Sequence, residues 1–268
     1  TLPIGLSRDA TYMGPKSSSG FAESRLLMTN FAVACPERSG QRTKIDTMAY
    51  FTDDFNRYFK DLAKNNNKEW FDANRKRYET SVKAPFERFV TDAIQRIAKL
   101  DRAIAIEAKE AIFRINRDVR FSKDKTPYKL STSAIISPAG RKDHAVPGIY
   151  FEFGPESVKF YGGAYQPEKD QLLRIREAIL RDGKGFRKTM TSAPFIKHFG
   201  EVRGEVNKVL PQEFKAHRDK EPLIANKQFY VMAEQPAKLV IDPHLMEVFM
   251  EHYQAVRPLN EWLAKAMA

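Results

Sequence analysis

One cysteine, Cys35, stands in 268 residues. It excludes an internal disulfide framework and a thiolate zinc cluster. Histidine is nearly as scarce. His144, His198, His217, His244 and His252 form no HxxxH pair and no group with the cysteine, so no structural metal site is expected and exposed helix or loop positions are the expectation for all five. No apolar run approaches the ~20 residues that cross a bilayer. Walker-type phosphate loops, dinucleotide fingerprints and the GxSxG elbow are missing too, which removes the commonest nucleotide and hydrolase classes. Acids are outnumbered, 34 Asp and Glu against 45 Lys and Arg. The net charge of +11 favours contact with polyanions or phosphorylated ligands.

What is present divides at Met48. Residues 1–47 hold SSSG, scattered Pro and Gly and no sustained period, and they read as a poorly ordered extension, with Met48 as an alternative natural start. RLLMTNFAVAC, Arg25–Cys35, has the outline of a secretory leader, but Thr29 and Asn30 interrupt its apolar run. A cytoplasmic protein is expected. Residues 48–268 read as one α+β domain.

Its first elements are helical. Thr52 precedes DDFNRYFKDLAKN, with acids in the first turn and Phe55, Tyr58, Phe59 and Leu62 on one face. Asn65–Asn67 suits a helix stop followed by a new N-cap. KEWFDANRKRYETSVK is a second helix, which Pro85 kinks or replaces with a third. The period then changes to that of strands. Phe113–Ser137 reads as a hairpin turning near Ser122–Thr126. GIYFEF and VKFYGG form another across GPES, pairing Phe153 with Val158, Glu152 with Lys159 and Tyr150 with Tyr161. Pro167 opens a helix closed by Gly183. KQFYVMA and KLVI are strands, and a final helix starts at Asp242-Pro243 and breaks at Pro258. This order predicts a central antiparallel sheet of hairpins packed against N- and C-terminal helices.

The chemistry concentrates in FRINRDVRFSKDKTPYK, Phe113–Lys129, where six Lys or Arg meet two Asp in 17 residues. Strand alternation puts Phe113, Ile115, Arg117, Val119 and Phe121 toward the helices, with Arg117 needing a carboxylate or a place at the core's edge. Arg114, Asn116, Asp118 and Arg120 take the other face. Arginine forks suit phosphate or carboxylate. The turn beyond them adds Ser122, Lys123, Lys125, Thr126, Tyr128 and Lys129. The ligand-binding candidates are therefore Arg114, Arg117, Arg120, Ser122, Lys123, Lys125, Tyr128 and Lys129. An ion network of Arg114, Asp118 and Arg120 is the structural alternative. A second polar strip holds Glu152, Lys159, Tyr150 and Tyr161. Asp118, Glu152 and Lys159 form a generic acid–base set able to hold a divalent metal for phosphoester cleavage, with an ordinary cross-strand Glu–Lys pair as its counterpart. Gly162-Gly163 allows close approach of a ligand, or a bulge.

Taken in order, NNNKEWFDANRKRY, FRINRDVRFSKDKTPYK, PGIYFEF and GGAYQPEKDQLLRIREAI resemble the domain of unknown function 2461 family, from about Met48 onward. The resemblance implies a soluble single-domain protein. It implies that Arg114, Arg117, Asp118, Arg120, Phe121, Ser122, Lys125, Pro127, Tyr128 and Lys129 occupy the family signature. It carries no catalytic residue. The expected function is binding of a phosphate-bearing ligand, nucleic acid or phosphorylated metabolite. The alternatives are a metal-assisted phosphoester enzyme and a protein-interaction module built on aromatic-rich helices.

Overall fold

A computed structural model describes residues 48–268; the expectations for the first 47 residues lie outside it. Met48–Arg117 and Thr126–Ala268 form one compact unit, and Asp118–Lys125 falls outside that unit and is described by itself.

In the larger unit, α1 (Asp54–Lys64) buries Phe55, Tyr58, Phe59 and Leu62, the face expected of it. Its N-cap is Asp53, one residue after Thr52, and that side chain makes no capping bond. The Asn67 side chain accepts from the Trp70 amide at 2.8 Å and so starts α2 (Lys68–Ala73). The continuous helix expected here is subdivided into α2, α3 (Arg75–Tyr78) and a π turn, Glu79–Lys83, before α4 (Ala84–Ala98). Pro85 lies in the first turn of α4, where its missing N–H and its ring are accommodated by the wider turn behind it. Arg77 ties these pieces together. It donates to Asp54 through Nε at 3.0 Å and Nη2 at 2.7 Å, and to Asp61 through Nη1 at 2.9 Å.

After α5 (Ala108–Ala111), β1 (Thr132–Ile136), β2 (Gly148–Phe153) and β3 (Ser157–Ala164) follow. Then come α6 (Lys169–Met190), α7 (Ala193–His198), α8 (Gln212–Lys215), β4 (Phe229–Pro236) and α9 (Leu245–Met267). The strands form an antiparallel sheet in the order β1-β2-β3-β4. The β2–β3 register pairs Phe153 with Val158, Glu152 with Lys159 and Tyr150 with Tyr161, as the four-residue loop requires. Strict alternation follows in β2 and β3. Phe151, Phe153 and Phe160 are buried on the inner face. There Phe86 and Phe89 of α4 meet Phe151 and Phe153 edge-on or tilted, and Phe249 of α9 meets Phe151 at 4.9 Å.

Several local expectations are corrected. Phe113–Phe121 is not a continuous strand: Asn116 makes an isolated bridge with Tyr128, and Ile112, just ahead of the segment, makes another with Ala134. Residues 113–115 then oppose residues 129–133, and three positions cannot pair in register with five. Residues 238–241 form part of a 3-10 turn, Ala237–Ile241, because Pro236 has no N–H with which to extend the ladder. The helix opened by Pro167 is interrupted where Gly183 was expected to close it. A non-helical Asp182 (φ −140°, ψ 55°) kinks it, and helix resumes beyond. Pro258 leaves α9 unbroken. The carbonyl it orphans belongs to Gln254, which is exposed, while Val256, Leu259 and Leu263 hold the flanking turns in the core.

Two ionisable side chains in the interior were not foreseen. His252 is 1% exposed, not on the surface. Its Nδ1 faces the Val248 carbonyl at 2.7 Å, its ring packs 4.4 Å from both Phe160 and His198, and Nε2 is buried without a partner. Burial pushes its pKa down to about 4. Arg176 of α6 is 6% exposed. Its guanidinium donates to the Ile224 carbonyl at 3.0 Å and the Asn226 carbonyl at 3.3 Å and meets no carboxylate among the described residues. Burial lowers its pKa.

Candidate functional site

Within the larger unit, the basic segment enters beside β1. The Phe113 amide donates to Ser133 at 3.0 Å. Because Ile112 bridges the core residue Ala134, Phe113 takes the opposite, outer side of the sheet rather than the helix side. Its ring lies 5.9 Å from Tyr150 and stacks on His144 at 5.7 Å, with the Lys129 ammonium 5.5 Å away. Arg114 is exposed, and its guanidinium meets no partner among the described residues. Ile115 packs against the core. Arg117 is half-buried, and its Nη1 donates to the Thr126 carbonyl at 3.2 Å and to the Thr126 hydroxyl.

Tyr128 turns inward. It is 6% exposed and stacks on Phe71 at 4.0 Å. Asn66 clamps its backbone at both ends: Nδ2 donates to the Tyr128 carbonyl at 2.9 Å, and Oδ1 accepts from the Tyr128 amide at 3.1 Å. Tyr128 thus brings packing, and the ring is not available to a ligand on the surface.

In the Asp118–Lys125 piece, Arg120 forms a two-pronged pair with Asp118, Nε to Oδ1 at 2.9 Å and Nη2 to Oδ2 at 2.6 Å. The carboxylate holds the Arg120 pKa above its ordinary value. Phe121 is 68% exposed, contrary to its expected place against the helices, because strand alternation lapses before it. Arg120 lies over its ring at 5.9 Å. Lys125 donates to the Val119 carbonyl at 2.9 Å, and the Ser122 amide closes a turn onto the same carbonyl at 3.4 Å. Lys123 is exposed and has no partner among the described residues.

Glu152 and Lys159 are opposite each other in the sheet, and Ser133 and Glu234 extend the same row. The adjoining row runs Ile135, Tyr150, Tyr161, Met232. The Tyr150 hydroxyl donates to Glu152 at 3.3 Å; burial, reinforced by that carboxylate, raises its pKa. Tyr161, pushed up to about 12 by burial, meets Tyr150 edge-on at 5.6 Å. Tyr230 and Tyr165 add a second pair, 5.4 Å apart. Sequence reasoning passed over Tyr230, although its place in the alternating FYVMA stretch marks it as outward. Among the described residues no group of three or more His, Cys, Asp or Glu is placed to hold a metal ion.

Gly162 and Gly163 serve α9. A Cβ on Gly162 would lie 2.5 Å from Val256 Cγ2. Gly163, at φ +93°, gives its amide to Asn260 at 2.7 Å. The close approach is by a helix, not by a ligand.

An antiparallel sheet with N-terminal and C-terminal helices on its inner face and a signature rich in Arg and Lys defines an α+β domain. A scan of family profiles matches residues 54–262 to the conserved hypothetical protein family DUF2461, and the chain belongs to that family. Searches of curated proteins and of solved structures gave no match.

Proposed function

We propose that the segment Phe113–Lys129 binds a phosphate-bearing ligand. The observation that carries this reading is the concentration of charge: six Lys or Arg against two Asp in 17 residues. Arg114 and Lys123 are each exposed and without a carboxylate among the described residues. An exposed guanidinium donates in a fork that matches phosphate, and an exposed ammonium adds a mobile point charge. The Asp118–Arg120 pair supports the structural alternative for those two residues only, since it occupies the Arg120 fork.

The test is calorimetric titration of the full chain with pyrophosphate across a salt series, alongside Arg114→Ala and Lys123→Ala. Binding that weakens with salt and falls several-fold in either variant supports the reading. Absence of binding to wild type, or equal binding by both variants, removes it.

A further inference from the structure

The stretch leading to β4 builds a hollow of its own. Two bridges, Arg203 with Tyr230 and Val206 with Asn226, run the chain beside β4 and its approach. The Asn207 amide then donates to the Ala225 carbonyl at 2.7 Å and closes the neck of a loop over residues 207–225. Leu210, Phe214, Ile224 and Ala225 fill the loop as a small core, and the Arg176 guanidinium lies 5.9 Å from the Phe214 ring. Backbone turns follow one another, Phe214 to Pro211, His217 to Phe214, Arg218 to Lys215 and Glu221 to His217, so the far arm is coiled. Side chains three apart on such a turn share a side, which groups Lys215 with Arg218.

Lys208, Val209, Leu210, Lys215 and Arg218 line a hollow of ≈ 410 Å³, a size within the range of small-molecule sites. Its three cations are exposed, and none pairs with a carboxylate among the described residues. Neighbouring acids are engaged elsewhere or stand outside. Glu205 pairs with Lys227 and Glu221 with Arg187, while Glu213 and Asp219 do not line the hollow. Like charges gathered on one concavity repel, and a bound anion relieves that repulsion.

We propose that this hollow is a second anion site, which takes the phosphate group of a small phosphorylated molecule. A phosphate presents three strong acceptor oxygens, which suits one guanidinium fork and two mobile ammonium groups better than a planar carboxylate does. Val209, 79% exposed, and Leu210 offer an apolar wall to the rest of the ligand. The site is separate from Phe113–Lys129 and does not rest on the reading above.

The test is calorimetric titration of pyrophosphate into the full chain carrying Arg114→Ala and Lys123→Ala together, which removes two exposed cations of the basic segment. Lys215→Ala or Arg218→Ala is then added. Lys220→Ala is the control, since it deletes the same charge from the same loop at a residue outside the hollow. All of these side chains are exposed, so the fold is expected to survive each change. Lys215→Ala and Arg218→Ala are each expected to weaken binding about fivefold or more, and Lys220→Ala by less than about twofold. No binding in the double variant overturns the proposal, as does unchanged affinity in both Lys215→Ala and Arg218→Ala. An equal loss in Lys220→Ala also overturns it, because the effect is then one of net charge. Citrate that binds through Arg218 where pyrophosphate does not overturns the phosphate assignment. The Phe113–Lys129 reading is judged on Arg114→Ala and Lys123→Ala singly in the otherwise wild-type chain, so either site can fail while the other stands.

Discussion

Asn260 of α9 grips the sheet through Gly163: its Oδ1 accepts from the Gly163 amide at 2.7 Å, and its Nδ2 donates to the Gly148 carbonyl at 3.0 Å. Gly148 and Gly163 are themselves register partners, so one side chain spans two strands. Asn260→Ala leaves both backbone groups unsatisfied in the interior and is expected to cost about 2–4 kcal/mol in urea denaturation. Gly162→Ala is expected to cost about 1–3 kcal/mol through overpacking on Val256. Adding Val256→Ala should recover part of that loss, and additive penalties would contradict a direct clash.

Asn66 and Tyr128 form a comparable clamp between α1–α2 and the returning arm of the basic segment. Asn66→Ala removes both hydrogen bonds to the Tyr128 backbone. Stability is expected to drop by about 1–2 kcal/mol, read from the denaturant midpoint. Tyr128→Phe should be far milder, because the stack on Phe71 survives.

Acid sensitivity follows from His252. Its folded pKa of about 4 lies below the unfolded value near 6.5, so the unfolded chain binds the proton first. The stabilising contribution is complete above pH ~6.5 and disappears as pH falls through ~4, about 3 kcal/mol in total. His252→Phe should flatten the stability profile across that window. Asp54, held low by Arg77 against its own burial, acts in the same direction at lower pH, where carboxylates titrate. An unchanged slope in His252→Phe would falsify the assignment.

Asp118→Asn removes the carboxylate that occupies the Arg120 fork. Pyrophosphate affinity is expected to rise several-fold, since a guanidinium freed from its neighbour can turn to phosphate. A fall in affinity would show instead that Asp118 positions Arg120 for the ligand.

The hairpin register and the helix faces were legible because periodicity is local: GPES sets the β2–β3 partners, and Phe55, Tyr58, Phe59 and Leu62 recur at helical spacing. Tertiary relations were not. Alternation through FRINRDVRF promised a strand and an inward Phe121, but a strand exists only where a partner keeps register, and the three-against-five mismatch beside β1 is invisible in either segment alone. His252 shares the helical spacing of Phe249, Val256 and Leu259 closely enough that its burial could have been read from α9. Arg203 lies in an irregular stretch, and its place beside Tyr230 is settled solely by backbone pairing. Within the candidate segment, charge density was legible, whereas the inward turn of Tyr128 depends on Asn66 and Phe71, more than 50 positions away.

Arg176 has a consequence for the stretch just before β4. Residues 222–226 contribute little ladder of their own, and two of their carbonyls end on one guanidinium. Lysine has the charge but not the planar pair of N–H directions, so Arg176→Lys cannot tether both carbonyls at once. The approach to β4 is thereby moored to the first half of a kinked helix, by a cation that belongs to a different element.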